Sequence, residues 1–234
     1  MNSSLQLPVS PFTILIVGTD ASGKDHVANV VTGMIDSMGG TVEKRKRYLS
    51  GRRTSEESST EKRVSELFLE KSFLTLYPLF SFLMPWCMNV LLKKDLARFN
   101  SPGQNCVVIG HNCLRGLAFY WGHRYTTTTQ ITMSPALKST LARLNSLHGL
   151  HTIVLDVDDG LRRERIAKRE LLGEADYFDR YMAENGKLSE RIESFLVWLT
   201  VNYLGATLIE NNNLSDRELR TAVMAGIAGS PTAI

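Results

Sequence analysis

A chain of 234 residues with 43% hydrophobic content is long enough to bury one large core, and its composition excludes collagen, coiled coil and general disorder. Its 27 basic and 24 acidic residues leave a net charge of only +3, too even a balance for a polyanion-binding surface, so nucleic acid is not an expected partner. Three cysteines (Cys87, Cys106, Cys113) form no CxxC pair and five histidines form no HExxH, which argues against a disulfide framework or zinc site and for a reducing, cytoplasmic compartment.

Residues 1–11 lack the basic start and apolar stretch of a signal peptide and read as a flexible lead-in. FTILIV (12–17) is a short β-branched run that ends at a glycine loop, as a buried parallel strand does. A helix follows, with Val27, Val30, Val31, Met34, Ile35 and Met38 at three- and four-residue intervals and Gly39-Gly40 as its stop. Thr41 and Val42 open a weaker strand that runs into the basic stretch Lys44 to Arg47, and the polar segment from Leu49 to Ser59 reads as a loop.

From Thr60 to Arg98 the pattern is helical, kinked or divided at Pro78 and Pro85. Within it, the 20 residues from Phe73 to Leu92 carry no charge and approach bilayer-spanning length; buried helices, a subunit interface and membrane contact all remain open readings, though the prolines and Asn89 weaken the last. CVVIG (106–110) and TIVLDV (152–157) are further buried strands, separated by helical sequence around 114–122 and 134–147. TLIE (207–210) is the last strand, and Ser215 with Glu218 forms a capping box for a terminal helix carrying Leu219, Val223 and Ile227. Strands alternating with helices imply a five-stranded parallel sheet covered by helices on both faces, in a single α/β domain over 12–228, with 229–234 a flexible C-terminus.

GTDASGKD (18–25) lies between the first strand and first helix, where a phosphate-binding loop has to be. Gly18 and Gly23 permit backbone angles and close approach that a side chain would block, so amides along Asp20, Ala21 and Ser22 can face phosphate oxygens. Lys24, expected to stand exposed in the empty loop, brings a point charge to the β and γ phosphates of a nucleoside triphosphate, and the helix behind it adds its positive end. Asp25 stands where the motif has a magnesium-binding hydroxyl. It is either a hard oxygen ligand for Mg2+ or simply an acidic residue favoured at a helix N-terminus.

Further along, Arg162, Arg165 and Arg169 recur three or four residues apart and share one side of a helix, with Arg163 and Lys168 close by. Such a side can grip a triphosphate as a lid near 160–175 or can be a solvated face that pairs with Glu164 and Glu170. Arg45, Arg47, Arg52 and Arg53 after the second strand read either as an acceptor site or as a loop of solvated charge.

The layout from about residue 12 to 228 resembles the thymidylate kinase family of P-loop kinases. The likeness is carried by VVIGHNCLRGLAFYWG (107–122), VLDVDDGLRRERIAKRE (154–170) and ADYFDRYMAENGKLSERIESFL (175–196). It implies the P-loop kinase fold and transfer of the γ-phosphoryl group of ATP, with Mg2+, to a nucleotide or another small acceptor. It also implies an acceptor pocket beside the phosphate loop and a homodimer through helices in 60–95. Carried over by position, Lys24, Arg165, Arg169 and His111 are the expected catalytic residues, Arg162 joins the loop in holding ATP, and Arg47, Arg52 and Arg115 are candidates for the acceptor.

Two departures qualify the resemblance. Gly110-His111 stands where the family has an Asp-Arg pair, and the uncharged run 73–92 lacks the arginine that helps hold thymine. Thymidylate is therefore not the expected acceptor, His111 is expected either to offer the phosphates one hydrogen bond or to be a structural strand-end residue, and Arg115 is positioned to make up lost charge. A nucleotide-binding relative with a regulatory or assembly role is the alternative reading, because a fold does not establish an activity.

Overall fold

A computed structural model describes residues 11–51, 77, 80–100, 103–173, 175 and 177–229. Its strands are β1 (Thr13–Gly18), β2 (Val42–Lys46), β3 (Asn105–Ile109), β4 (Leu150–Asp156) and β5 (Thr207–Glu210). They form one parallel sheet in the order β2-β3-β1-β4-β5. The helices among the described residues are α1 (Lys24–Ser37), α2 (Met84–Arg98), α3 (Asn112–Arg124), α4 (Pro135–Asn145), α5 (Asp159–Leu171), α6 (Tyr177–Glu184), α7 (Gly186–Leu204) and α8 (Asp216–Gly229). The parallel sheet covered on both faces that the alternating pattern called for is the architecture observed.

Alternation along the central strands divides the core in two. Leu15 and Val17 of β1, with Cys106 and Val108 of β3, face α2, α3, α4 and α7. Ile14 and Ile16, with Val107 and Ile109, face α1 and α8. Every residue of β1 is buried, as a strand with parallel neighbours on either side must be. At the sheet edge, β2 (VEKRK) is only partly covered, and its charged side chains oppose pairing with a further strand.

The stops and starts follow local chemistry. Gly39 takes φ +77°, and the amides of Gly39 and Gly40 bond back to Asp36 and Ile35, which ends α1. Pro85 lies in the first turn of α2, where its missing N–H costs nothing, so it starts that helix rather than kinking it. Ser215 and Glu218 make the expected reciprocal cap: the Glu218 amide donates to Ser215 Oγ at 3.4 Å, and the Ser215 amide donates to Glu218 Oε2 at 2.9 Å. At Gly122 a Cβ would come within 2.5 Å of Ile192 Cγ1 and 3.3 Å of Ile192 backbone, so α3 and α7 owe their close approach to the missing side chain.

The uncharged run divides by environment. Residues 73–76 and 78–79 lie outside the described residues. Beyond them Met84 and Leu92 are buried, whereas Phe82 (67%) and Trp86 (66%) are largely exposed. No helix among the described residues is long and apolar enough to cross a membrane.

Candidate active site

The described residues singled out in the sequence collect at the carboxyl edge of the sheet, where an open parallel sheet leaves a crevice beside β1 as the strand order reverses. The loop from Gly18 to Lys24 crosses from β1 into α1. Ala21 at φ +59° and Gly23 at φ +88° hold it in the left-handed region. Gly23 is the N-cap of α1 and has no side chain to accept from the first-turn amides, so these remain available to an anion.

Three side chains from elsewhere hold this loop. Thr19 Oγ1 donates to Glu193 Oε1 of α7 at 3.0 Å. Asn211, just after β5, donates from Nδ2 to the Ser22 carbonyl at 2.8 Å, and its own amide bonds Asp156 at 2.8 Å. Arg165 of α5 donates from Nη1 to the Ala21 carbonyl at 3.2 Å and from Nη2 to the Asn211 carbonyl at 3.1 Å. The loop's shape is thus fixed by contacts to β5, α5 and α7 before any ligand arrives.

Lys24 is half-buried rather than exposed, and Nζ donates to the Thr19 carbonyl. Burial pushes its ammonium down to about 8; Arg115 adds to that effect, while Asp20, Asp25 and Asp179 oppose it. Asp20 accepts from Arg115 Nη2 at 2.5 Å. Burial disfavours its charge, but Arg115, followed by Lys24, Arg169 and Arg47, more than offsets this and holds the carboxyl below its ordinary range. Asp25 lies outside this cluster, 74% exposed, with Oδ1 3.7 Å from Lys46 Nζ.

The three lid arginines part company. Arg169 pairs with buried Asp179 of α6 at 2.9 Å, and Arg165 covers the loop as described. Arg162, expected to grip the nucleotide, is instead buried and ion-paired with Glu193 and Asp159. It braces the phosphate loop from behind, through Glu193 and Thr19, rather than facing a ligand. Burial drives the Glu193 carboxyl up to about 7, against the pull of Arg162 and the Thr19 hydrogen bond.

His111 takes the structural role rather than the catalytic one. It is fully buried at the N-cap of α3, with Nε2 3.1 Å from Asp95 Oδ2. With Asp95 ionised, the Nε2–H tautomer is the donor, and the ring has no surface left to offer a phosphate. Asp95 further accepts from the Leu49 amide at 2.8 Å and the Ser50 amide at 3.0 Å, and from the Ser50 hydroxyl. Burial alone would raise its pKa, but these bonds, led by that from His111, bring it down to about 2. What stands beside Lys24 is Gly110, at φ +71°, where a Cβ would lie 3.9 Å from Lys24 Cε.

Of the acceptor candidates, Arg47 and Arg115 line one cavity of about 380 Å3 beside the phosphate loop, together with Thr19, Asp20 and Phe119. Arg45 does not join them, because it pairs with Glu43 at 2.9 Å and donates to the Leu49 carbonyl. Arg52 and Arg53 lie outside the described residues. Sequence reasoning missed Asp95, Glu193, Asn211 and Asp179. The available signal was a carboxylate on an apolar helix stripe: Asp95 beside Leu92 and Leu96, and Glu193 beside Ile192 and Leu196.

A parallel sheet in this order, with a glycine- and lysine-bearing loop leading from β1 into α1, defines a P-loop kinase fold. No family model matches the chain, and no curated protein matches its sequence. Solved structures with a similar chain path include a deoxyadenosine kinase from M. mycoides with bound dCTP, 15% identical over 93% of this chain and 99% of that one, with a TM-score of 0.46. Another is the thymidylate kinase from Candida albicans, 17% identical over 92% of this chain and 89% of that one, also at a TM-score of 0.46. Likeness at this level bears on neither substrate nor activity.

The Asp95 clasp makes a prediction about acid. Its folded-state value of about 2 lies below the ordinary 3.8, so the ionised carboxylate adds stability above roughly pH 4. That contribution, about 2 kcal/mol, is lost as the pH falls from about 4 to 2. Denaturation of wild type and Asp95→Asn across this range should show the stability gap closing toward low pH; parallel curves would contradict the assignment.

Proposed function

We propose that this chain is a phosphotransferase that binds ATP at residues 18–25 and moves its γ-phosphoryl group to a small acceptor, a nucleotide or another molecule, seated in the adjoining cavity. The observation that carries this reading is the juxtaposition of Lys24, an uncapped α1 N-terminus and a 380 Å3 cavity that Arg47 and Arg115 line. Phosphoryl transfer gains most from alignment and from cations on oxygens where charge builds, and these groups supply both.

In this reading the amides of residues 20–24 and Lys24 hold the β and γ phosphates, with Lys24 leaving the Thr19 carbonyl for them. Arg165 and Arg169 stand on the α5 side of the loop, where transition-state charge needs cations. Arg115 and Arg47 face the acceptor. Among the described residues no cluster of three or more His, Cys, Asp or Glu side chains could hold a metal by itself. Magnesium on a nucleotide takes most of its oxygens from phosphates and water, so exposed Asp25 fits the one protein ligand required. Bound Mg2+ would neutralise phosphate charge, including the repulsion between Asp25 and the triphosphate.

The turning of His111 toward Asp95 favours a second reading, a nucleotide-binding protein with little transfer and a regulatory or assembly role, because neither member of the Gly110-His111 pair presents charge to the phosphates. Turnover of ATP with an acceptor panel separates the two.

Binding should carry the signature of Lys24. Its ammonium titrates near 8 in the free protein and is held protonated by a bound polyanion, so affinity is full below that value and falls above it. Calorimetry should give an ATP affinity about tenfold weaker at pH 9 than at pH 7, with proton uptake on binding near pH 8. Lys24→Ala should lose most of the affinity and all of this pH dependence. Equal binding by both proteins would refute the phosphate-loop assignment.

We also read the exposed apolar face formed by Phe82, Trp86 and Val90, four residues apart, as the surface a second copy covers. Sedimentation velocity should find a dimer that Trp86→Glu converts to monomer. A monomeric wild type at micromolar concentration would end this reading.

A further inference from the structure

The cavity beside the phosphate loop has two chemically different ends. At the loop end stand Asp20, Arg115 and Arg47. Arg47 is held there by its backbone: φ is +70°, its amide donates to the Ile109 carbonyl at 3.0 Å, and its carbonyl accepts from Asn112 at 3.1 Å. The remaining wall includes Met84, Met88 and Leu91 of α2, Met182 of α6, and Ile192 and Leu196 of α7.

Among the described residues, the uncharged polar side chains on the lining are few. Thr19 already donates to Glu193, and Tyr48 and Asn112 directly follow Arg47 and His111 in the chain. Burial pushes the Cys113 thiol up to about 12, so it stays neutral. Asn89, the one amide on the buried side of α2, accepts from Thr140 Oγ1 at 2.7 Å. A base edge placed against the methionine and leucine wall would leave its donors and acceptors unpaired, which a polar ligand pays for in affinity.

The proton inventory narrows the acceptor further. A hydroxyl acceptor needs a base; among the described residues Asp20 is held below its ordinary range in a bond to Arg115, His111 is buried against Asp95, and Glu193, though raised to about 7, is already engaged by Thr19 and Arg162. A phosphomonoester dianion carries no proton on its attacking oxygen near neutral pH, and its charge suits Arg47 and Arg115.

We infer that the acceptor is a phosphomonoester of a small apolar alcohol, its phosphate at Arg47 and Arg115 and its hydrocarbon body against the α2 and α7 wall. The inference rests on the kinase reading above and names its substrate class. A non-bridging oxygen of the acceptor phosphate attacks the γ-phosphorus of ATP. The bond from that phosphorus to the β,γ-bridging oxygen breaks, ADP leaves with the electron pair, and the product is the corresponding organic diphosphate. No redox partner is required. A cavity of about 380 Å3 has room for a short branched chain or one ring.

The test uses the full chain with Mg·ATP and hexyl phosphate, phenyl phosphate, thymidylate, deoxyadenylate and hexanol as acceptors, with diphosphate products followed by 31P NMR. Binding of each acceptor alone is measured by calorimetry. Expected is a kcat/KM for hexyl or phenyl phosphate at least about tenfold above either nucleotide, and no turnover of hexanol. Met88→Gln should cut kcat/KM for hexyl phosphate about tenfold while ATP affinity is retained. A nucleotide or hexanol as best acceptor overturns the inference, as does unchanged hexyl phosphate kinetics in Met88→Gln. Should wild type fail to bind ATP, the kinase reading falls by itself. The acceptor site is then judged by calorimetry alone, where saturable binding of hexyl phosphate tighter than thymidylate supports it and its absence overturns it.

Discussion

A loop that offers its amides to phosphate cannot satisfy them with its own side chains, so it has to be held in shape from outside. Here Glu193 carries that constraint. Its carboxylate takes the Thr19 hydroxyl on one oxygen and Arg162 on the other, tying the phosphate loop and α5 to α7 at one buried point. Removing one partner of such an arrangement strands a buried charge, so the three residues stand or fall together. Asn211 and Arg165 complete the support on the side of β5. The elements that hold the phosphate loop are therefore the same ones that close the core around the central strands.

Asp95 does the corresponding work on the side of the adjoining cavity. By gathering Leu49, Ser50 and His111 it fixes the chain just after β2 against the start of α3, and Arg47 is set between those two points. His111 therefore acts by positioning the chain on either side of Arg47. The result is a site whose cations come from the ends of β2, α1, α3 and α5, with Gly110 leaving space beside Lys24. An apolar wall and a charged mouth then follow from which side of α2 and α7 the cavity meets.

Much of this was legible in the sequence because it is local. The strands β1, β3, β4 and β5, the glycine loop, the glycine stop of α1 and the Ser215-Glu218 cap each rest on neighbouring residues, and each formed where expected. What the sequence concealed was partnership across long separations. Helical spacing puts Arg162, Arg165 and Arg169 on one side of α5, but it cannot tell that Arg162 meets Glu193, which belongs to a helix packed beneath the loop. Whether His111 faces the phosphates or is a structural strand-end residue was open for the same reason, since Asp95, which holds it in the structural role, lies in the preceding helix. Lys24 was judged by its motif alone, and only the packed loop reveals that burial lowers its pKa.

The most direct measurement of the central claim is a crystal structure with Mg2+ and a non-hydrolysable ATP analogue. The account expects the β and γ phosphates cradled by the amides of residues 20–24, Lys24 Nζ moved from the Thr19 carbonyl onto them, and the γ-phosphate facing the cavity that Arg47 and Arg115 line. A nucleotide bound elsewhere, or Lys24 still bonded to Thr19 with the analogue in place, would contradict it.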